Sequence, residues 1–313
     1  MSLAVVFPGQ GSQSIGMLAA LAAAEPLVGE TFAAASGVLG YDLWKLCQSG
    51  PADELNSTER TQPAMLTAGV AVFRVWQSKG AVPAAMLAGH SLGEFTALVC
   101  AGAFTFEDAV AAVQFRGRVM QEAMPVGQGA MAAILGLDAA AVEAACAEAA
   151  GSEVVEAVNY NSPGQLVIAG NAAAVARAMQ ACKARGAKRA LLLPVSVPAH
   201  SSLLKVASAR LASYLATVAI SVPRIPVYAI GLGRHESPDA IRSNLVRQLS
   251  APVRWTETVA DLVTSGATRI VECGPGKVLT ALNRRIERNQ AIAMLAIDDP
   301  ASLAAVLAPG ESP

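Results

Sequence analysis

Aromatic residues are scarce in this 313-residue chain, at 4%, and charged residues reach only 15%, although 53% of the side chains are hydrophobic. An interior with so few rings must be filled by Ala, Val and Leu, which pack closely between layers, so the composition favours helices stacked on a sheet. The two signs of charge nearly cancel, leaving a net of -1. That excludes a general pull toward nucleic acid or an anionic membrane surface, and any charged partner must be met by a local patch. No C-x-x-C pair occurs among Cys47, Cys100, Cys146, Cys182 and Cys273, which points to a reducing compartment without disulfides. The three histidines are too scattered for a metal site. No apolar run approaches the ~20 residues needed to span a bilayer. The opening M-S-L-A-V-V-F-P-G lacks the basic segment and long apolar region of a secretory signal. A cytoplasmic chain that binds neither nucleic acid nor membrane is expected.

What is present is a repeated strand–loop–helix order. Residues 3–7 form a short apolar run, P-G-Q-G-S-Q makes a turn, and residues 15–21 carry a helical pattern; residues 85–88 are again apolar, G-H-S-L-G turns, and residues 94–100 read as helix. Two such units imply a parallel sheet covered by helices. Further strands are predicted at residues 227–230, 269–273 and 292–297, with helices around 240–249 and 278–288. Between residues 127 and 193 the rhythm changes to strand 130–135, helix 138–149, strand 154–158, strand 166–169, helix 172–185 and strand 188–193. This β-α-β-β-α-β order is the ferredoxin-like signature. The chain is therefore expected to be α/β, with a parallel-sheet body over residues 1–126 and 195–313 and an inserted ferredoxin-like α+β small subdomain at 127–194. Residues 309–313 are expected to be loose.

The strongest local signal is Gly89-His90-Ser91-Leu92-Gly93, a G-x-S-x-G between a predicted strand and a predicted helix. A tight strand-to-helix turn needs small residues on both sides of the serine and presents its hydroxyl at the top of the sheet. The following helix adds exposed backbone N–H groups and a positive dipole end, which suit a developing oxyanion. Ser91 is the candidate nucleophile, against the bland alternative of a glycine-bracketed loop with an incidental serine. A nucleophilic serine needs a base within hydrogen-bond reach. His90 adjoins Ser91, and neighbours across a tight turn rarely aim both side chains at one point. His235 lies in G-R-H-E-S-P, which reads as a solvated loop. His200 follows a strand and the P-V-S-V-P-A turn, where strands deliver functional residues. It is the candidate base, against a loop histidine bonded to backbone.

Arg116 adds an independent argument. Residues 105–122 read as a helix capped by Thr105, with Asp108 three residues on. At about 100° per residue, Ala109, Val113, Arg116 and Met120 share one stripe and Arg118 faces the opposite way. A guanidinium on the apolar side keeps its charge and must find a carboxylate. Two readings stay open: a buried ion pair with a protein Asp or Glu, or a bidentate seat for a substrate carboxylate. The loop at residues 8–13 fails the dinucleotide pattern, because Ser14 stands where G-x-G-x-x-G needs its third glycine, and G-P-G-K-V at 274–278 lacks the remaining signature of a P-loop. No permanently bound cofactor is expected. The first loop can instead bring a backbone N–H, such as that of Gln10, beside the serine as an oxyanion donor.

With these residues assembled, the chain resembles the malonyl-CoA:acyl-carrier-protein transacylases of fatty-acid synthesis and the related acyltransferase domains of polyketide synthases. The resemblance spans nearly the whole chain: F-P-G-Q-G-S-Q at 7–13, T-Q-P-A at 61–64, G-H-S-L-G-E at 89–94, R-G at Arg116, N-Y-N-S-P-G-Q at 159–165, S-V-P-A-H at 196–200, V-R-Q-L at 246–249 and E-C-G-P-G-K at 272–277. It implies a hydrolase-like α/β body with the ferredoxin-like insertion and a site in the cleft between them. It also implies a Ser91–His200 dyad, with the histidine held by the backbone carbonyl of Gln248 and the oxyanion held by the amides of Gln10 and Leu92. Arg116 would hold the malonyl carboxylate, malonyl-CoA would be the donor, and acyl carrier protein the acceptor.

One stretch departs from the family pattern: where asparagines usually follow the P-V strand, this chain has Y-A-I-G-L-G at 228–233. Two rivals follow. A serine esterase or thioesterase would want an acidic third member, for which Asp138 is available but better explained as a helix N-cap. A non-catalytic carrier-docking subunit is the other. The basic clusters Lys183, Arg185, Lys188, Arg189 and Arg284, Arg285, Arg288 are either docking patches for an acidic carrier or solvated faces. Even charge and the lack of a coiled-coil pattern point to a monomer.

Overall fold

The computed structural model describes residues 2–195, 197–231 and 233–308. The end expected to be loose, residues 309–313, lies outside them, as do Ser196 of the S-V-P-A-H motif and Leu232 of the departing stretch. The described strands are β1 (Ser2–Phe7), β2 (Met86–Gly89), β3 (Gly129–Leu135), β4 (Val155–Ser162), β5 (Gln165–Asn171), β6 (Arg189–Leu192), β7 (Val227–Ala229), β8 (Gly233–Arg234), β9 (Ala267–Cys273) and β10 (Ala293–Ile297).

The first sheet runs β10-β9-β1-β2-β7-β8, parallel throughout except for the antiparallel edge strand β8. Side chains of a strand alternate faces, and β1 shows the result: Leu3, Val5 and Phe7 enter one core while Ala4 and Val6 enter another. A run that is apolar at every position is what a sheet covered on both sides requires. Phe7 is fully buried and meets Phe73 edge-on at 6.0 Å; truncating such a ring costs about 3–5 kcal/mol. The pairing of Phe7 with Gly89 ends β1 and β2 side by side. The two glycine-rich loops that follow them therefore share one edge of the sheet.

The second sheet runs β4-β5-β3-β6 with every neighbour antiparallel. Its element order is the strand–helix–strand–strand–helix–strand order predicted from the sequence, with helices Ala139–Ala150 and Ala172–Ala184. One face and these helices enclose a separate core containing Ile134, Val142, Ile168 and Val175. The other face turns Met131, Val158 and Val167 toward Leu193, Val195 and Ala199. The small sheet is tied by backbone to the segment leading into the helix Trp255–Thr264: Tyr160 N–H donates to Val253 O and Val253 N–H to Val158 O, both at 2.8 Å. Among the described residues no helix is long and apolar enough to cross a membrane.

Helices Pro26–Leu39, Lys205–Leu215 and Trp255–Thr264 are not among the predicted elements, and two further differences have a local physical cause. The helix predicted at residues 15–21 begins only at Ala19, because Gly16 (φ 82°) and Leu18 (φ 61°) take left-handed conformations that a helix cannot contain. The sequence reading also passed over the helix Thr58–Ser78. It is apolar nearly all round, as a helix buried on most sides must be, and Pro63 near its start reads locally as a breaker.

Candidate active site

Steric demands shape the turn after β2. A Cβ on Gly89 would stand 1.9 Å from Gly93 C, and one on Gly93 would stand 2.1 Å from Phe7 O. Neither position admits a side chain. Ser91 between them has φ 52°, a left-handed conformation that costs a non-glycine residue about 1–3 kcal/mol. The helix Gly93–Cys100 starts directly after the turn. The first loop presses on the same turn, since a Cβ on Gly9 would meet His90 O at 2.5 Å. The N–H groups of Gln10 and Leu92 donate to no acceptor among the described residues.

The structure brings His200 to Ser91, with Nε2 2.8 Å from Oγ. His200 is also left-handed, at φ 66°, and its N–H is tied to Leu249 O at 3.1 Å. On the far side of the ring Nδ1–H donates to the backbone carbonyl of Gln248 at 2.7 Å. That bond fixes the tautomer and leaves the Nε2 lone pair facing the serine hydroxyl. Burial, and then the positive charge of Arg116, pull His200 down to about 3, so the imidazole is neutral at ordinary pH. Asp138 plays no part here: it caps the helix Ala139–Ala150, accepting from Ala141 N–H at 2.8 Å.

Arg116 lies on the helix Phe106–Glu122, whose N-cap Thr105 accepts from Asp108 N–H at 3.1 Å. The side chain is 1% exposed. Its Nη1 donates to Gln62 Oε1 at 2.8 Å, and its Nη2 to Gln248 Oε1 at 2.8 Å and to Ser91 Oγ at 3.2 Å. Nε has no partner among the described residues. The partners are thus neutral oxygens rather than a carboxylate. Among the described residues Arg116 forms no ion pair, the first of its two readings. Burial lowers Arg116 to about 10 while the charge of Glu94 opposes the shift, which leaves the guanidinium cationic at neutral pH.

Sequence reasoning missed four residues that the structure places here. Gln62, from T-Q-P-A, bonds Arg116. Glu94, 1% exposed, accepts from the Gln248 side chain at 2.7 Å. Asn161 holds His90 Nε2 at 2.8 Å, turning that histidine away from the serine. His235, expected in a solvated loop, is 5% exposed and lies 2.7 Å from Glu94 Oε1. Its sequence neighbours are polar, and only the fold brings the carboxylate to it. A visible signal existed for Gln62 and Glu94: each is a polar residue beside an otherwise apolar helical run.

A family model described as acyl transferase domain matches residues 4–299. The chain belongs to the acyl transferase family. Its curated relatives include the malonyl CoA-acyl carrier protein transacylase of Escherichia coli K12, 56% identical over 97% of this chain and 98% of that protein. The protein of the same name from Bacillus subtilis is 41% identical over 96% and 95%. Among solved structures, an acyl carrier protein S-malonyltransferase from Vibrio cholerae superposes with a TM-score of 0.93 at 53% identity, covering 98% of this chain and all (100%) of that one. A malonyl-transacylase in complex with a type II PKS acyl-carrier protein superposes at 0.96 with 52% identity, over 98% and 99%. The acyl transferase fold of this chain, a mixed α/β arrangement of one mainly parallel and one antiparallel sheet, is thus shared with these structures at high identity.

Proposed function

We propose that this acyl transferase moves a malonyl group from coenzyme A to the phosphopantetheine thiol of an acyl carrier protein, through a malonyl ester on Ser91, in fatty-acid synthesis. His200 Nε2 takes the Ser91 proton as Oγ attacks the thioester carbonyl. The tetrahedral oxyanion rests on the N–H groups of Gln10 and Leu92, each worth about 10²–10³ in rate. The carbon–sulfur bond then breaks and coenzyme A leaves with the proton from His200. In the second half the carrier thiol gives its proton to His200, its sulfur attacks the ester, and the carbon–oxygen bond breaks as Ser91 regains the proton. Gln248 positions the base through its carbonyl and the clamp through its side chain.

The observation that carries this assignment is Arg116: a buried cation with only neutral partners, 3.2 Å from the nucleophile. A malonyl ester on Ser91 would place its free carboxylate within reach of that guanidinium, and an acetyl ester has nothing to offer it. The parallel-sheet body, residues 1–126 and 195–313, is hydrolase-like in this proposal, and residues 127–194 form a ferredoxin-like unit whose Asn161 closes over the turn. The chain works in the cytoplasm as a monomer, with coenzyme A only as a substrate carrier. Of the basic clusters, Arg185 pairs with Glu148, while Arg284 and Arg285 bond to Met294 O and Gln165 Oε1, so each is partly tied to the protein's own groups.

Labelled malonyl-CoA and peptide mass mapping test the assignment. A malonyl adduct on Ser91 that passes to a carrier thiol is expected. Free malonate released at full speed without a thiol would make the chain a thioesterase, and no adduct at all would make it a docking subunit.

A further inference from the structure

The amide of Gln248 is a fork with an acceptor on one prong and a donor on the other, and a half-turn exchanges them. Here Oε1 faces the Arg116 guanidinium at 2.8 Å, and Nε2 faces Glu94 Oε2 at 2.7 Å and Ser91 O at 3.1 Å. The flipped amide would press its NH2 against the donors of Arg116. Glu94 decides between the two, because a carboxylate only accepts. Glu94 is 1% exposed, so its oxygens must find donors in the protein rather than in water. His235 supplies one of these, its Nε2 2.7 Å from Oε1.

His235 is itself fixed by the fold. Its N–H donates to Val227 O at 2.9 Å directly after the β7–β8 pair, and Asn244 Nδ2 lies 3.4 Å from its Nδ1. The stretch that lacks the family's asparagines sends no polar side chain from residues 228–231 to this cluster. Tyr228 donates its hydroxyl to Ser265 Oγ at 2.6 Å, and Ile230 packs in the apolar core. The polar contact comes instead from His235, a few residues on.

We propose that His235 is a positioning residue for acyl selection. Its Nε2–H fixes the Glu94 carboxylate in place, Glu94 sets the Gln248 amide, and the amide aligns Arg116 for the substrate carboxylate. This rests on the malonyl transfer proposed above. Without the His235 donor, one oxygen of Glu94 loses its partner and the carboxylate can rotate away from the Gln248 amide. The Gln248 NH2 then lacks its acceptor, the amide is no longer held in one orientation, and the clamp loses its alignment.

The test compares acylation of Ser91 by malonyl-CoA and by acetyl-CoA in wild type, His235→Gln and His235→Leu, with folding checked by circular dichroism. Loss of one hydrogen bond to a charged group corresponds to roughly a tenfold effect. His235→Leu should lower the malonyl-to-acetyl ratio by about that factor through the malonyl rate alone, whereas His235→Gln, which keeps a donor at similar reach, should retain the wild-type ratio. A folded His235→Leu with an unchanged ratio overturns the proposal, as does a His235→Gln that falls with it. Should His235→Leu fail to fold, ¹⁵N NMR of the wild-type imidazole decides: a proton on Nε2 supports the assignment and a bare Nε2 overturns it. A wild-type chain that takes up neither acyl group overturns malonyl transfer and this role together; a change confined to the variants bears on His235 alone.

Discussion

Gln248 divides the site into two regions that solve opposite problems. On its carbonyl side His200 must stay neutral and ready to accept a proton; on its side-chain side Arg116 must stay charged and free to receive an anion. The first is met by giving the imidazole a backbone oxygen at 2.7 Å instead of a carboxylate, so that burial and the charge of Arg116 outweigh the support this oxygen gives the imidazolium. The second is met by giving Nη1 and Nη2 of the guanidinium amide oxygens as partners, which accept from them without neutralising the charge. The carboxylate in the network, Glu94, is linked to Arg116 by hydrogen bonds only through the Gln248 amide, and its charge acts on the guanidinium from a distance. One residue thus separates reactivity from recognition.

The comparison breaks most sharply at the base. His200→Ala should slow Ser91 acylation by roughly 10⁴-fold or more for malonyl and acetyl thioesters alike, as read by rapid-quench labelling; an acyl-dependent loss would mean that the two regions are not separate. Arg116→Ala should cost the malonyl reaction about 10²-fold and leave the acetyl reaction far less affected. Equal losses would remove the clamp.

The pH profile sharpens the same contrast with a smaller effect. Protonated His200 cannot take the serine proton, so acylation fails as pH falls through its pKa, and in the wild type the rate should stay flat until the pH nears about 3. Because the positive charge of Arg116 is the second cause of that depression, Arg116→Ala should move the acid limb to higher pH. The smallest effect belongs outside both regions: Thr105→Ala removes the cap of the helix that carries Arg116 and should cost about 1 kcal/mol in denaturant unfolding without altering the malonyl-to-acetyl ratio.

What was legible in the sequence follows from how local each requirement is. Strands β1, β2 and β10 of the parallel sheet read as apolar runs because both faces are covered, and the turn at Ser91 read as G-x-S-x-G because its own backbone excludes a Cβ at Gly89 and Gly93. The element order of the small sheet was legible too, although β4 runs on to Ser162 through Asn159, Tyr160 and Asn161, polar residues that do not continue the apolar pattern of 154–158. Arg116 stood out as a cation on an apolar stripe, but its partners could not be read, since Gln62 and Gln248 are 54 and 132 residues away. The Gln248 carbonyl left no trace at all, because a backbone oxygen does not depend on residue type; only the family resemblance pointed to it. His235 was misread for the same reason in reverse: local polarity suggested solvent, and a partner 141 residues distant decided the matter.

Both ends of the 2.8 Å contact, Ser91 and His200, sit in backbone conformations that glycine would adopt with ease. The chain therefore gives up thermal resilience at the two places where turnover depends on it. Laboratory evolution screened on melting temperature alone would drift toward glycine at these positions and arrive at a hardier, inert protein.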